Sequence, residues 1–257
     1  MRRAAILALC ALSAPGCFAI TDVDHFHSAA GGDLRLHLRG MVPHRSQRVE
    51  VVLIDGAGNL QSWARIQPLG SPDYDLVMPK ALADPPYRID FYADAMADGF
   101  TPFTDGMTPE DHQWRIQPYP LSGEYTFTHN TNFNHIEPLP TGNGMATIML
   151  GTGGLVDKAA EVRVLEAATG RTRVVVRNQS ITGDPAVLSA PGVFDLETEY
   201  QIDAWIDGNG DGVYQPPGPN MTDDHSFRAR VTTTTATSVD ATIAFSLSMA
   251  DQTDVGF

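Results

Sequence analysis

From residue 144 onward, apolar and polar side chains alternate in short runs, broken by clusters of Gly, Pro, Asn, Asp and Ser. A period of two sends successive side chains to opposite faces of a strand, and the breakers supply turns. Runs of this kind lie near residues 144–150, 161–167, 171–178, 186–190, 199–207, 224–232 and 238–248. Seven short strands at such intervals predict two small sheets packed face to face. One segment competes. Asp157 to Thr169 (DKAAEVRVLEAAT) is rich in Ala, Glu and Leu and has the composition of a helix.

A repeat settles that conflict. Tyr87-Arg88-Ile89-Asp90 matches Tyr200-Gln201-Ile202-Asp203, an offset of 113 residues. At the same offset Asp94, Asp98 and Gly99 fall on Asp207, Asp211 and Gly212, and Asp111-His112-Gln113-Trp114-Arg115 falls on Asp224-His225-Ser226-Phe227-Arg228. Arg48-Val49-Glu50-Val51 lands on Glu161-Val162-Arg163-Val164. The first-copy counterpart of the helix-like segment, RVEVVLID at residues 48–55, is β-branched, so a strand is expected in both copies. The chain thus reads as all-β, two tandem β-sandwich domains of about seven strands each, at residues 21–136 and 137–257. The joint falls near Glu137-Pro138-Leu139-Pro140.

The first residues belong to export rather than to the fold. Met1-Arg2-Arg3, an apolar run from Ala4 to Leu12, and Ser13-Ala14-Pro15-Gly16-Cys17 read as a secretory signal, residues 1–16, too short to span a bilayer. Ala14-Pro15-Gly16-Cys17 resembles a bacterial lipobox, which makes Cys17 the lipidated first residue of the mature chain and the membrane a partner through that anchor. A cut after Ala19 is the alternative. An outer-membrane or cell-surface lipoprotein is expected, or else a periplasmic or secreted protein. Cys10 lies inside the apolar run, so Cys17 is the one thiol left after processing and no internal disulfide is available. The full chain carries a net charge of −14; without Arg2 and Arg3 it has 15 basic against 31 acidic side chains. Such a surface repels nucleic acid and gathers cations.

Candidate chemistry centres on Asp207-Gly208-Asn209-Gly210-Asp211-Gly212. Oxygen side chains at alternate positions, with glycines that let the backbone curl, form the opening of a calcium loop: Asp207, Asn209 and Asp211 give side-chain oxygens and Val213 a carbonyl. An EF-hand needs Glu at the twelfth position, where Gly218 stands, so a closing carboxylate is expected from Asp223 or Asp224. Asp203 shares a strand face with Trp205 and Asp207 and is expected to support the loop. Hard oxygen ligands point to Ca2+. In the first copy, Asp94, Asp98 and Asp111 outline a degenerate loop, with Met96 where the middle oxygen belongs.

Residues 205–214 (WIDGNGDGVY) resemble the "W-x-D-x-N-x-D-G" loop of bacterial surface repeats of the Cna-B or SdrD-B type. That resemblance implies a transthyretin-like, immunoglobulin-like sandwich, calcium in the loop, and a stalk or spacer role. The chain departs from the family in its Asp-His segments and in lacking a wall-sorting signal, which the lipobox would replace.

Seven of eight histidines lie in the first copy. His25 and His27, on one face of a strand, together with His129 and His135, could bind copper or zinc. His112 and His225 recur at matching positions and read as structural. No G-x-S-x-G elbow, P-loop, H-E-x-x-H or Cys-His nucleophile is present. The sequence therefore points to a non-enzymatic envelope module, structural, adhesive or binding, whose partner is an envelope or extracellular protein or glycan. The alternatives are a periplasmic copper or zinc protein and a carboxylate-based hydrolase.

Overall fold

The computed structural model describes residues 31–82, 87–95, 97, 111–117, 123–134 and 142–257. The signal segment, Cys17, His25, His27, Asp98 and His135 lie outside the described residues. The first copy contains β1 (Leu34–Arg39), β2 (Val49–Asp55), β3 (Leu60–Gln67), β4 (Tyr74–Met78), β5 (Tyr87–Ala93), β6 (His112–Ile116) and β7 (Glu124–Thr128), with a 3-10 turn at Val42–His44. The second contains β8 (Gly144–Leu150), β9 (Ala160–Glu166), β10 (Thr172–Asn178), β11 (Ala186–Gly192), β12 (Glu199–Ile206), β13 (His225–Thr232) and β14 (Val239–Ile243). The fold is all-β, and the helix-like segment is strand β9. Among the described residues no helix is long and apolar enough to cross a membrane.

Sheet topology adds what the repeat alone does not reveal. Sheets β4-β1-β7 and β11-β8-β14 are equivalent three-stranded units, but the remaining strands join into one sheet of eight, ordered β13-β12-β9-β10-β3-β2-β5-β6. Its centre is a parallel pairing of the equivalent strands β3 and β10, with Val174 opposite Trp63 and Val175 opposite Ala64. Parallel pairing of equivalent edges relates the copies by an approximate two-fold axis along the strands. Such an axis turns one copy's face over.

The two small sheets therefore cover opposite faces of the shared sheet. Leu34, Leu36 and Leu38 of β1 pack with Val49, Val51, Leu53, Phe91 and Trp114 in one core. Ile148, Leu150, Val162, Val164, Ile202 and Phe227 form the other. Strands at the seam serve both. Val52, Ile54 and Trp63 of the first copy belong to the second copy's core, and Val175 of the second belongs to the first's. Burial on both faces explains why β2 (VEVVLID) and β10 (TRVVVRN) carry nearly unbroken apolar runs rather than strict alternation.

Pairing also corrects the repeat register. Asp55 faces Tyr87 across β2 and β5, whereas Glu166 faces Tyr200, the counterpart of Tyr87, across β9 and β12. Strands β2 and β9 are thus related by 111 residues, two fewer than the 113 of the Tyr-x-Ile-Asp segments. A slip of two keeps every side chain on its own face, so the apolar pattern could not expose it. Glu50 corresponds to Glu161, and Arg48 to Ala159. Consistent with this, the Asp94 amide donates to the Arg48 carbonyl at 2.9 Å and the Asp207 amide to the Ala159 carbonyl at 2.9 Å.

Candidate functional site

Strand β12 delivers Asp207 at its end, with Ile202, Ala204 and Ile206 in the core and Asp203 and Trp205 on the opposite face. Beyond it the chain curls around the Asp207 carboxylate. Oδ1 accepts the Gly210 amide at 2.7 Å and Oδ2 the Gly212 amide at 2.9 Å. Both glycines have φ of +78°, which L side chains rarely adopt. Gly208 is required for another reason: a Cβ there would lie 1.7 Å from the Asp223 carbonyl oxygen, so the approach to β13 runs directly against it. Asn209 Oδ1 accepts the Asp211 amide at 2.8 Å, and Asp211 Oδ1 accepts the Val213 amide at 2.8 Å. The Lys158 ammonium lies over Gly210.

Of the two closing candidates, the structure brings Asp224 to the loop and turns Asp223 away. Asp223 Oδ2 accepts both the amide and side-chain N–H of Asn220 at 2.9 Å and so closes its own turn. Asp224, only 1% exposed, accepts from the Trp205 indole at 2.9 Å and the Gln215 amide at 2.8 Å through Oδ2 alone. Its Oδ1 is buried with no hydrogen-bond partner. Burial pushes the Asp224 carboxyl above its ordinary range, the Gln215 and Trp205 hydrogen bonds oppose this, and the charges of Asp207 and Asp211 add to it. Asp203 is engaged elsewhere. Arg228 grips it at 2.6 and 2.9 Å, and Gln201 donates at 3.0 Å.

In the first copy an internal cation faces the carboxylate equivalent to Asp207, although Asp94 Oδ1 is buried without a hydrogen-bond partner. Asp94 is buried, and Arg48 Nη2 reaches its Oδ2 at 3.1 Å while Arg48 Nε lies 3.4 Å from Glu50 Oε1. Asp111 Oδ1 accepts the Ala95 amide at 3.0 Å. Asp90 and Arg115 repeat the Asp203–Arg228 clasp at 2.7 and 2.9 Å. Where Arg48 stands, the second copy has Ala159, so Asp207 has backbone amides where Asp94 has a guanidinium. Among the described residues, no three His, Cys, Asp or Glu side chains already surround one ion position.

His129 is part of a cluster that sequence spacing does not reveal. It follows β7, and its Nε2 lies 3.2 Å from Nε2 of His44, which is 3.4 Å from Nδ1 of His112. The three positions are far apart in sequence, and only the closing of the first sandwich brings them to one end. His225, the counterpart of His112, is instead fully buried against Phe245, with Nδ1 3.2 Å from Gln252 Oε1.

No family model and no curated protein matches this chain. Among solved structures it is similar to the Bacillus anthracis TIE protein, at 9% identity over 82% of this chain and 34% of that one, with a TM-score of 0.23. It is also similar to the tip fimbrial protein Mfa3 of Porphyromonas gingivalis, at 9% identity over 76% and 81% with a TM-score of 0.24. The shaft pilin SpaA of Lactobacillus rhamnosus GG matches at 9% identity over 82% and 96%, with a TM-score of 0.22. The chain spans about a third of the TIE protein. TM-scores this low assign neither family nor function.

Proposed function

We propose that this chain is a non-enzymatic module of the cell envelope, a spacer or binding unit tethered through Cys17, and that Ca2+ held by the Asp207 loop stiffens its second copy. The observation that carries the calcium reading is Asp224: a carboxylate 1% exposed, with one oxygen unpartnered, held beside the charges of Asp207 and Asp211. Burying a carboxylate in that company is costly unless a cation offsets it. The oxygens of Asp207, Asn209, Asp211 and Asp224 are of the hard type a divalent ion takes, with the Val213 carbonyl as a further donor, and an ion would draw them together from positions that do not yet surround one point. The contrast with Arg48 supports the same reading: Asp94 meets a guanidinium directly, whereas the Asp207 carboxylate meets backbone amides, with the Lys158 ammonium over Gly210. The likeness of residues 205–214 to the Cna-B type loop points the same way.

Thermal unfolding of the full chain in EDTA and in graded CaCl2 tests the proposal. Ligand binding to the native state raises the melting temperature by mass action, so a saturable rise is expected that Mg2+ does not reproduce. Asp207→Asn is expected to abolish it. A melting temperature indifferent to millimolar calcium overturns the calcium reading. Loss of membrane association in Cys17→Ala is expected of the anchor, and unchanged membrane association in that variant overturns it.

A further inference from the structure

We infer that His44, His112 and His129 form a binding site for a divalent transition-metal ion that prefers imidazole, Zn2+ or Cu2+, at one end of the first copy. The inference stands apart from the calcium loop, which lies in the other copy. Three separate elements deliver the ligands: the 3-10 turn after β1 supplies His44, the first residue of β6 is His112, and His129 follows β7.

Nitrogen crowding around His44 carries the argument. Its Nδ1 lies 2.8 Å from Gln47 Oε1. An amide oxygen only accepts, so Nδ1 carries the proton and Nε2 presents its lone pair. That one lone pair meets two nitrogens, His129 Nε2 at 3.2 Å and His112 Nδ1 at 3.4 Å. A lone pair takes one good N–H donor, so hydrogen bonding leaves the second contact without a bond. A metal ion satisfies all three at once. With Zn–N bonds of about 2.0–2.1 Å, the edge of a tetrahedral ligand set is about 3.3–3.4 Å, close to the His44–His129 and His44–His112 spacings; the three rings do not yet surround one ion position, so His112 and His129 must turn to complete the set.

Three further features suit a metal. His44 is 1% exposed, and its Nδ1–H partner is a carbonyl-type oxygen, the outer contact that fixes the tautomer of a ligating histidine. Trp114 meets His44 edge-on at 5.3 Å and Phe133 stacks on His112 at 4.0 Å, giving the site an apolar wall. His112 and His129 are only partly buried, so they are the rings that pivot to aim their lone pairs at one point. The second copy, with His225 as its one histidine, lacks the site.

Calorimetric titration of the EDTA-stripped full chain with ZnCl2, and separately with CuCl2, decides the matter. The wild type is expected to bind, and His112→Gln and His129→Gln each to lose one equivalent of metal; both side chains are partly exposed, so circular dichroism should show an intact fold. Gln47→Leu, which frees the tautomer without removing a ligand, is expected to weaken binding roughly 10- to 100-fold. Asp207→Asn and the His25→Gln/His27→Gln double variant are expected to retain that equivalent. Unchanged stoichiometry and affinity in the folded His112→Gln/His129→Gln double variant overturns the site, as does a wild-type chain that binds neither ion.

Discussion

Among the described carboxylates, Asp224 is the one whose ionisation opposes folding. Its carboxyl titrates above the ordinary carboxylate range in the native state, first because it is buried and then because Asp207 and Asp211 are close. Between the ordinary value near 4 and the raised one, the folded chain holds a proton that the unfolded chain has lost, so stability falls as pH rises through that window. Asp55 and Asp75 are shifted the other way, by hydrogen bonds to Asn59, Ala57 and Gln61 and by His37 and Arg39 respectively. Their contribution is present above the ordinary value and is lost only below it, so the windows separate. Asp224→Asn is expected to flatten the decline above pH 4 and, in EDTA at neutral pH, to stabilise the chain by about 1 kcal/mol. The amide keeps an oxygen for Trp205 and Gln215 and offers an N–H where Oδ1 has no partner. Urea titrations across pH 4 to 7.5 check this; a variant less stable than wild type in EDTA contradicts it. The D-x-N-x-D-G spacing made the loop legible from sequence. It could not choose between Asp223 and Asp224, because that choice rests on which carboxylate the turn at Asn220 captures.

Strands β3 and β10 show where sequence reading ran out at the scale of elements. Each strand of the second copy lies within a few residues of its apolar run, since alternation and turn residues agree there. The seam left a signal too: VVV in β10 and VEVVLID in β2 are apolar on both faces, the mark of strands covered twice. Nothing local says which neighbour does the covering. Trp63 is the strongest test of the arrangement, because it belongs to the first copy and is buried in the second copy's core, with its indole donating to Glu50 at 2.9 Å. Trp63→Ala is expected to cost about 3–5 kcal/mol. Hydrogen exchange should show the loss on amides of β9 and β12 as well as β2. Destabilisation confined to the first copy contradicts the shared core.

At the scale of the molecule, the shared sheet makes the two copies one cooperative unit. Cut at the seam, the second copy loses Val52, Ile54, Leu60 and Trp63 from its core and exposes the β10 edge, and the first copy loses Val175. A bare β-branched edge is a template for pairing with another chain, so residues 142–257 alone are expected to be less stable and to associate. The intact chain is expected to unfold in one calorimetric transition, with van't Hoff and calorimetric enthalpies equal. Cooperativity also determines how ion binding is felt. If both copies open together, calcium at the Asp207 loop stabilises the native state as a whole, and a reporter in the first copy, such as Trp114 fluorescence, must shift by as many degrees as one in the second. Calcium that raises the second copy's melting while leaving Trp114 unmoved would show that the β3–β10 pairing holds two independent sandwiches side by side.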